Sequence, residues 1–291
     1  MKSPLISICI PTYNQVDYLK KILDSVLSQT FEDYEIIISD DSTNDDISDL
    51  SFSHPLKEKI KYSKNEPSLG SPSNWNNALD KANGQYIKII HHDDWLTDKD
   101  SLQKFISSFQ KNPDASLIFC ASKTNDFKTY KNGIYEPSSK EIRQINRNPK
   151  CLLIGNTIGA PSVIFFKKTQ ERFDTNLKWL VDTDFYIRIL KKGPLIFIKE
   201  PLVYITTQSS QQVTSQCQNI ETEFGEWFYV FKKHRQNKLF KISEILFLSK
   251  LIYRYKVISY TNFRKQFPDT PNRGTFRVLI FLNKMINLLR C

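Results

Sequence analysis

Cysteine is scarce in this chain of 291 residues, and the five that occur are scattered: Cys9, Cys120, Cys151, Cys217 and Cys291. Their number is odd, and no two of them have the Cys-x-x-Cys spacing. This pattern argues against a disulfide framework and against a structural zinc site, and it favours a reducing compartment. We therefore expect a cytoplasmic protein.

Long apolar runs are also missing. No window approaches the roughly 18 to 20 apolar residues of a membrane-spanning helix, and the opening Met1-Lys2-Ser3-Pro4 leads into a short strand and not into a signal-peptide core. Hydrophobic residues still make up 40% of the chain and aromatic residues 13%, which argues against overall disorder. The length allows one large or two modest domains, each with a substantial core.

Positive charge is concentrated near the C-terminus. Residues Trp227 to Cys291 contain 14 Lys and Arg but only two acids, Glu244 and Asp269, so this segment carries +12. Since the whole chain carries +10, the residues before it carry −2. The basic character therefore belongs to the C-terminal segment alone.

The N-terminal part alternates between strand and helix patterns. Leu5–Ile10 has the alternation and β-branched content of a strand, and Asn14 is a candidate N-cap for a helix that runs to Leu27. A second strand follows at Tyr34–Ser39. A strand, a helix and a strand within about forty residues form a βαβ unit, which implies parallel pairing and a right-handed crossover.

The same alternation continues to about residue 205. From residue 220 the pattern becomes helical and amphipathic, so we expect an α/β domain at 1–220 and a basic helical region at 221–291. The further predicted strands are Ile60–Tyr62, Gln85–Ile90 and Ala115–Cys120, with edge strands at Ile196–Ile198 and Leu202–Ile205 and an apolar run at Ser162–Phe166. Helices are predicted from Ser71-Pro72, Lys99 and Trp179, a turn at Asn132-Gly133, and a flexible loop at Thr206–Gln218.

Three acid clusters stand where strands or loops meet helices: Asp40-Asp41, Asp93-Asp94, and Asp182 with Asp184. Taken singly, each fits a helix N-cap or a solvated turn, because Asp is favoured there. The first two clusters, however, end strands that we expect to be parallel neighbours. In an open α/β sheet ligands bind at the carboxyl ends of the strands, so both acid pairs are expected at one rim.

Five segments in this order and spacing carry a family resemblance. They are Ile8–Asn14, Ile36–Ser42, Asn76 with Gly84–Tyr86, Asp93-Asp94, and Asp182–Phe185 with Arg188. Over about the first 220 residues the chain resembles the family-two inverting glycosyltransferases of the GT-A fold. That resemblance implies a Rossmann-like α/β fold, a mostly parallel sheet flanked by helices, here with a basic helical C-terminal extension.

The resemblance also implies a binding site for a nucleoside-diphosphate sugar, with UDP as the expected nucleotide. Asp40 would accept a hydrogen bond from the base, a charge-assisted contact that is stronger than a neutral one. Pro11, Thr12 and Tyr13 would line the nucleotide cleft, and Asn76 would also contact the donor.

For the diphosphate, the resemblance implies a divalent cation, Mg²⁺ or Mn²⁺, bound by Asp93. Asp94 would support this ligand or contact sugar hydroxyls. The family usually has an acid where this chain has His91, and a neutral imidazole suits Mn²⁺ better than Mg²⁺. His91 is thus either a second metal ligand or a structural residue.

Asp182 matches the position of the family's catalytic base, which takes the proton of the acceptor hydroxyl. Asp184 would support the helix that follows. Arg188 would position acids or phosphate, or else pack as a surface residue. At Thr206–Gln208 the chain lacks the Arg and His of many relatives, so a histidine contact to metal or phosphate would be missing.

The expected function is an inverting, hexosyltransferase-type glycosyltransferase that acts on a glycan or lipid-linked acceptor in surface-polysaccharide or lipopolysaccharide synthesis. One alternative is a non-catalytic relative that binds nucleotide-sugar or glycan. Another is a sugar nucleotidyltransferase, disfavoured because Pro11–Gln15 contains no glycine for a phosphate loop. The basic segment either packs on the catalytic domain or contacts an anionic membrane surface. We recognise no nucleic-acid-binding module.

Overall fold

The computed structural model describes residues 3–91, 93–124, 133–206, 217, 219–234, 241–257, 259–268, 273–274 and 276–277. The chain forms two compact units. One comprises Met1–Pro149 and Thr157–Gln212, and the other comprises Lys150–Asn156 and Val213–Cys291. The domain boundary at residue 220 stays a prediction.

The first unit is built around one mixed sheet, which has nine strands in the described part of the chain. The spatial order is β3-β2-β1-β4-β8-β6-β9-β5, and β7 pairs with β6. The strands are β1 Ile6–Thr12, β2 Tyr34–Asp40, β3 Ile60–Lys64, β4 Tyr86–Ile89, β5 Trp95–Leu96, β6 Leu117–Thr124, β7 Ile134–Tyr135, β8 Ile164–Lys167 and β9 Leu195–Ile205.

The half of the sheet that ends in the acid clusters is parallel. β1 pairs in parallel with both β2 and β4, and β2 pairs in parallel with β3. β6 and β9 form another parallel pair, whereas β8 runs antiparallel to its two neighbours, β4 and β6. The predicted α/β fold with a mostly parallel sheet is confirmed.

Helices cover the sheet. They are α1 Val16–Leu27, α2 Asp46–Ser53, α3 Ser73–Lys81, α4 Ser101–Lys111, α5 Ser139–Arg147 and α6 Val181–Ile189. In α1 the apolar residues Leu19, Ile22, Leu23 and Val26 share one face and are buried, as the helical spacing requires. Every residue of β1 and β2 is buried, because a parallel sheet is covered on both faces.

Two predicted helix N-caps are wrong by one residue each. Gln15, not Asn14, is the N-cap of α1, since Asn14 adopts a left-handed backbone with φ of 52°. The Oδ1 atom of Asn14 instead accepts a hydrogen bond of 2.9 Å from the backbone N–H of Thr43. The helix predicted from Ser71 begins at Ser73, with Pro72 as its N-cap.

The two predicted edge strands are one strand, β9, and it lies inside the sheet. β9 is parallel to β6 on one side and antiparallel to β5 on the other. The pairing with β6 shifts register on both sides of Ala121. That irregularity, with Pro201 in the middle of β9, breaks the alternation that the sequence pattern relies on.

The described part of the second unit is mainly helical: α7 Ile220–His234, α8 Ile242–Arg254 and α9 Tyr260–Gln266. Aromatic rings fill its interior, and Trp227 is buried with its indole N–H donating to the Leu153 carbonyl at 2.9 Å. An ion pair of 3.1 Å joins Arg254 of α8 to Glu223 of α7. In the described ranges, no helix combines the length and apolar composition that crossing a bilayer requires.

Candidate active site

The carboxyl ends of β1, β2 and β4 lie next to one another at one edge of the sheet. Thr12 is the register partner of Asp40, and Cys9 is the partner of Ile89. Past the strand ends, the N–H of Asp41 donates to the Thr12 carbonyl at 3.1 Å. We call Thr12, Tyr13, Asp40, Asp41 and Ser42 the β1–β2 rim, and His91, Asp93 and Asp94 the β4 rim.

Asp40 is fully buried at the β1–β2 rim, and protein donors surround its carboxylate. Oδ1 accepts from the Thr12 hydroxyl at 3.1 Å, from the Ser42 N–H at 2.9 Å and from the Ser42 hydroxyl. Oδ2 accepts from the Tyr62 hydroxyl at 2.8 Å. Burial and this bond to Asp40 raise the pKa of Tyr62 above its usual value.

The residues next to Asp40 give this rim its surface. Pro11 and Thr12 are buried at the end of β1, whereas the side chain of Tyr13 is 49% exposed. The Asn14 N–H donates to the Ser42 hydroxyl at 2.8 Å, which ties the turn after β1 to the turn after β2. The backbone that carries the exposed Tyr13 ring is therefore held in place.

Asp41 holds the next loop in place. Its carboxylate accepts from the backbone N–H groups of Leu69, at 3.0 Å, and Gly70, at 2.8 Å. Gly70 has φ of +69°, a conformation that side-chain-bearing residues rarely adopt. The Asn65 amide donates to the same carboxylate at 2.8 Å. Asp41 is thus a structural anchor, a role that the sequence did not reveal.

Three asparagine amides support the β1–β2 rim from behind. The Asn74 amide donates to the Thr12 carbonyl at 3.2 Å and accepts from Asn65 at 3.1 Å. The Asn77 amide donates to Asn65 and to the Ser39 hydroxyl, both at 2.7 Å. Sequence reasoning missed these residues, although Asn74 and Asn77 are three positions apart and therefore share a helix face.

Asn76, the asparagine that was predicted to contact a donor, is on another face of α3. Its amide donates to the Phe173 carbonyl and accepts from the Phe173 N–H, each at 2.8 Å. Both hydrogen-bonding ends of the side chain are therefore engaged with backbone. In this structure Asn76 ties α3 to the Phe173 segment and does not join either rim.

At the β4 rim, Asp93 is half-buried and Asp94 is almost fully buried. The Thr206 N–H donates to Asp94 Oδ1 at 3.2 Å, and the Thr206 hydroxyl donates to the Asp93 carbonyl at 2.6 Å. Burial, together with the neighbouring charge of Asp93, raises the pKa of Asp94 to about 8. Thr206 is the first residue of the predicted flexible loop Thr206–Gln218, of which 207–216 and 218 lie outside the described residues.

His91 begins the β4 rim. Its N–H donates to the buried Ser162 hydroxyl at 2.9 Å, and its ring centroid lies 4.3 Å from that of Trp75. His92 lies outside the described residues. Among the residues described, no group of three or more His, Cys, Asp or Glu side chains is placed to hold a metal ion.

Asp182 lies in the first turn of α6 and is half-buried. Its Oδ1 accepts a 2.7 Å hydrogen bond from the Thr183 N–H. Burial, and to a smaller extent the charge of Asp182, raise the pKa of Tyr186 well above its usual value. The Tyr186 hydroxyl donates to the Gly159 carbonyl at 3.0 Å, so it is fixed next to this acid.

Asp184 and Arg188 are structural partners. Asp184 is completely buried, and Arg188 Nε donates to its carboxylate at 2.9 Å. The remaining guanidinium nitrogens donate to Glu171 and to the Arg172 carbonyl. This network fixes α6 to the 171–172 segment, and it accounts for Arg188 without any ligand.

A protein-family model described as glycosyl transferase family 2 matches residues 7–173. The chain belongs to this family. The matched range contains both rims, so the glycosyltransferase family assignment rests on the part of the chain that carries the acids at the ends of β2 and β4. The match ends before α6, which carries Asp182.

Full-length comparison supports the family assignment. The chain is 29% identical over 266 residues to an uncharacterised glycosyltransferase of Rickettsia typhi, a match that covers 89% of this chain and 82% of the relative. Over 95 residues it is 36% identical to the GalNAc(5)-diNAcBac-PP-undecaprenol beta-1,3-glucosyltransferase of Campylobacter jejuni, covering 32% of this chain and 31% of that enzyme.

Solved structures confirm the GT-A fold of this glycosyltransferase. Residues 1–349 of S. aureus TarS, crystallised with UDP-GlcNAc, superpose with a TM-score of 0.63 at 18% identity, covering 89% of this chain and 74% of that one. The mannosyltransferase PcManGT of Pyrobaculum calidifontis, in complex with GDP-Man and Mn²⁺, gives 0.58 at 16% identity, covering 78% and 64%.

Proposed function

We propose that this family-2 glycosyltransferase transfers a hexose from a nucleoside-diphosphate donor, first of all UDP, to a hydroxyl of a glycan or lipid-linked acceptor with inversion. The observation that carries the proposal is the placement of the β1–β2 rim next to the β4 rim. One rim offers a fixed carboxylate and an exposed ring, and the other offers two adjacent acids. The TarS and PcManGT complexes, with UDP-GlcNAc and with GDP-Man and Mn²⁺, support this type of donor.

The nucleoside would bind at the β1–β2 rim. The exposed ring of Tyr13 offers a stacking surface, and Pro11 and Thr12 form the adjacent wall. Asp40 Oδ1 already accepts three hydrogen bonds, whereas Oδ2 accepts one, from Tyr62. Since a carboxylate oxygen has two lone pairs, Oδ2 keeps one for an N–H of the base.

Asp93 would bind a divalent cation, Mg²⁺ or Mn²⁺, with His91 as a second candidate ligand and Asp94 behind them. With so few protein ligands, donor phosphates and water would supply the remaining oxygens, which is how Mg²⁺ commonly binds. The fit rests on two adjacent acids, half-buried Asp93 and buried Asp94, because neighbouring carboxylates favour a nearby cation. When bound, the cation stabilises the charge that develops on the leaving diphosphate.

Asp182 would act as the general base. It takes the proton of the acceptor hydroxyl while that oxygen forms a bond to the anomeric carbon. The bond from the anomeric carbon to the diphosphate breaks on the opposite face, and the configuration inverts. General-base catalysis of this kind contributes about 10²- to 10⁴-fold to a rate.

We place the reaction in the cytoplasm, in the synthesis of surface polysaccharide or lipopolysaccharide. The name of the C. jejuni relative describes a lipid-linked acceptor, which supports this setting. The basic segment from Trp227 would then contact the anionic membrane surface, where each Lys or Arg contributes about 1 kcal/mol.

The deciding experiment is a screen of nucleotide-sugars with the purified full chain, with and without Mn²⁺. We expect Mn²⁺-dependent hydrolysis or transfer of at least one UDP-sugar, and tight UDP binding by calorimetry. Tight binding without turnover of any donor would favour a non-catalytic relative. Turnover that chelation leaves unchanged would contradict the role given to Asp93.

A further inference from the structure

A lysine is buried directly behind the β4 rim. Lys88 lies in β4, three residues before His91, and none of its surface is exposed. Burial lowers the pKa of Lys88 to about 8. Because burying a charged amine is costly, a methionine of similar volume would stabilise the core better at this position. A role in packing alone therefore does not account for Lys88.

The ammonium group of Lys88 binds one short segment of the chain. Nζ donates to the Ser162 carbonyl, and it lies 3.4 Å from the Ile164 carbonyl. Ser162 belongs to the 3-10 turn Pro161–Val163, just before β8, and it is fully buried. Lys88 thus links the middle of β4 to the turn beside the end of that strand.

Ser162 in turn holds the start of the β4 rim. Its hydroxyl accepts the N–H of His91 at 2.9 Å, and the His91 carbonyl accepts the N–H of Asp94 at 3.0 Å. The Ser162 carbonyl binds Lys88, and the Ser162 hydroxyl binds the rim. The turn that contains Asp93 is therefore held at its first residue by Ser162.

We propose that Lys88 is a positioning residue for the β4 rim, which acts through Ser162 on the backbone of His91 and, through the His91 carbonyl, on the backbone of Asp94. Asp93 lies between these two residues, so its direction depends on them. The link to metal binding rests on the proposed function, whereas the mechanical link from Lys88 to the rim does not. The charged or titratable groups that face Lys88 are Asp94 and Cys120.

The first test is amide hydrogen exchange of the metal-free full chain, read over peptides that span residues 86–96. In Lys88→Met and in Ser162→Ala, we expect exchange at the β4 rim to be about tenfold faster than in the native chain. Ser162→Thr, which keeps the hydroxyl, should retain the native exchange rate. The matched control is Phe105→Leu, because the Phe105 ring centroid lies 5.1 Å from Lys88 Nζ in the same core.

The second measurement is Mn²⁺ binding in the presence of UDP, followed by the paramagnetic resonance signal of free Mn²⁺. Loss of groups that orient metal ligands typically weakens binding 10- to 100-fold. We expect a loss of about tenfold for Lys88→Met, and no change for Phe105→Leu.

The proposal is overturned if Lys88→Met matches Phe105→Leu in exchange at the rim. A native chain that binds no Mn²⁺ with UDP present contradicts the proposed metal site instead, and the exchange experiment still decides the role of Lys88. If Lys88→Met does not fold, Lys88→Leu takes its place, and exchange at the rim equal to that of Phe105→Leu would again contradict the proposal.

Discussion

The β1–β2 rim and the β4 rim end neighbouring strands of one sheet, but they surround their carboxylates differently. Asp40 accepts from three neutral hydroxyls and one backbone N–H, and Asp41 accepts from two backbone N–H groups and an amide. Asp94 has fewer donors, lies next to Asp93, and has a pKa of about 8. The carboxylates of the β1–β2 rim are thus largely satisfied by protein donors, whereas the β4 rim would gain stability from a cation.

The difference comes from what lies behind each rim. Behind the β1–β2 rim are polar residues such as Asn65 and Asn74, which supply neutral hydrogen bonds. Behind the β4 rim are Lys88 and buried aromatic rings such as Phe105 and Phe165. Neutral polar residues fix the geometry of the carboxylates by hydrogen bonds and add no charge of their own. Apolar surroundings lower the local dielectric and so strengthen the interactions among the charged groups of the β4 rim.

The largest expected effect lies outside both rims. Asp182→Asn keeps the size of the side chain but removes the general base, so we expect kcat to fall about 10²- to 10⁴-fold. UDP binding, measured by calorimetry, should stay within twofold of the native value, because neither rim changes. The control is Asp184→Asn, which should instead lower stability by breaking the bond to Arg188. Full activity in Asp182→Asn would remove this residue from the mechanism.

Asp93→Ala changes the β4 rim and leaves the β1–β2 rim intact. Removing the proposed metal ligand should lower kcat/KM about 10²- to 10³-fold, the usual scale for losing one group that stabilises transition-state charge. Binding of uridine, which has no phosphate, should be unaffected. Equal losses for uridine and UDP would show that the two rims do not act separately.

Asp40→Asn should give the opposite result. The amide of asparagine can replace one acceptor oxygen but carries no charge. We therefore expect the unfolding free energy, or the free energy of uridine binding, to fall by about 1.5 to 3 kcal/mol. The Mn²⁺ concentration needed for half-maximal activity should not change. A shift in that requirement would contradict the division between the rims.

The strand-end acids were predictable because strand and helix periodicity are local. β1, β2 and β4 followed from runs of six residues, although β1 separates β2 from β4, which were predicted to be neighbours. The partners that hold the acids were not predictable in this way. His91 and Ser162 are 71 residues apart, and Asp94 and Thr206 are 112 residues apart, so no sequence window contains both members of either pair.

The partner of Asn76 was not predictable for the same reason. Motif resemblance marked this asparagine, yet the helix turns it away from its neighbours Asn74 and Asn77, and Phe173, which is 97 residues distant, uses its amide. The sequence did not single out Lys88, because a lysine within an apolar strand is ordinarily expected to be exposed. Its complete burial became visible only in the folded chain.

The pH dependence of stability should reveal a further difference between the two rims. Asp94 has a pKa of about 8 in the folded state and an ordinary value of 3.8 when unfolded, so folding strengthens its hold on a proton. As pH rises from about 4 to 8, the unfolded chain releases this proton while the folded chain keeps it, and stability falls. Metal-free Asp94→Asn lacks this loss.

Thermal unfolding in chelator at pH 5 and at pH 8 measures the effect. Relative to the native chain, Asp94→Asn should be more stable at pH 8 than at pH 5, since its amide oxygen can still accept from Thr206. Added Mn²⁺ with UDP should stabilise the native chain at pH 8 by favouring the charged carboxylate. A gap between native and variant that does not change with pH would contradict the raised pKa of Asp94.

The smallest effect on ligand binding is expected for Asn76→Ala, paired with Asn74→Ala. Asn76 exchanges two hydrogen bonds of 2.8 Å with the Phe173 backbone, so its loss should lower the unfolding free energy by about 1 to 3 kcal/mol. Its UDP affinity should stay within twofold of the native value. Asn74→Ala removes the donor to the Thr12 carbonyl, so it should weaken uridine binding while leaving the Mn²⁺ requirement unchanged. Weaker UDP binding in Asn76→Ala than in Asn74→Ala would show that Asn76 contacts the donor and that the donor site extends to this face of α3.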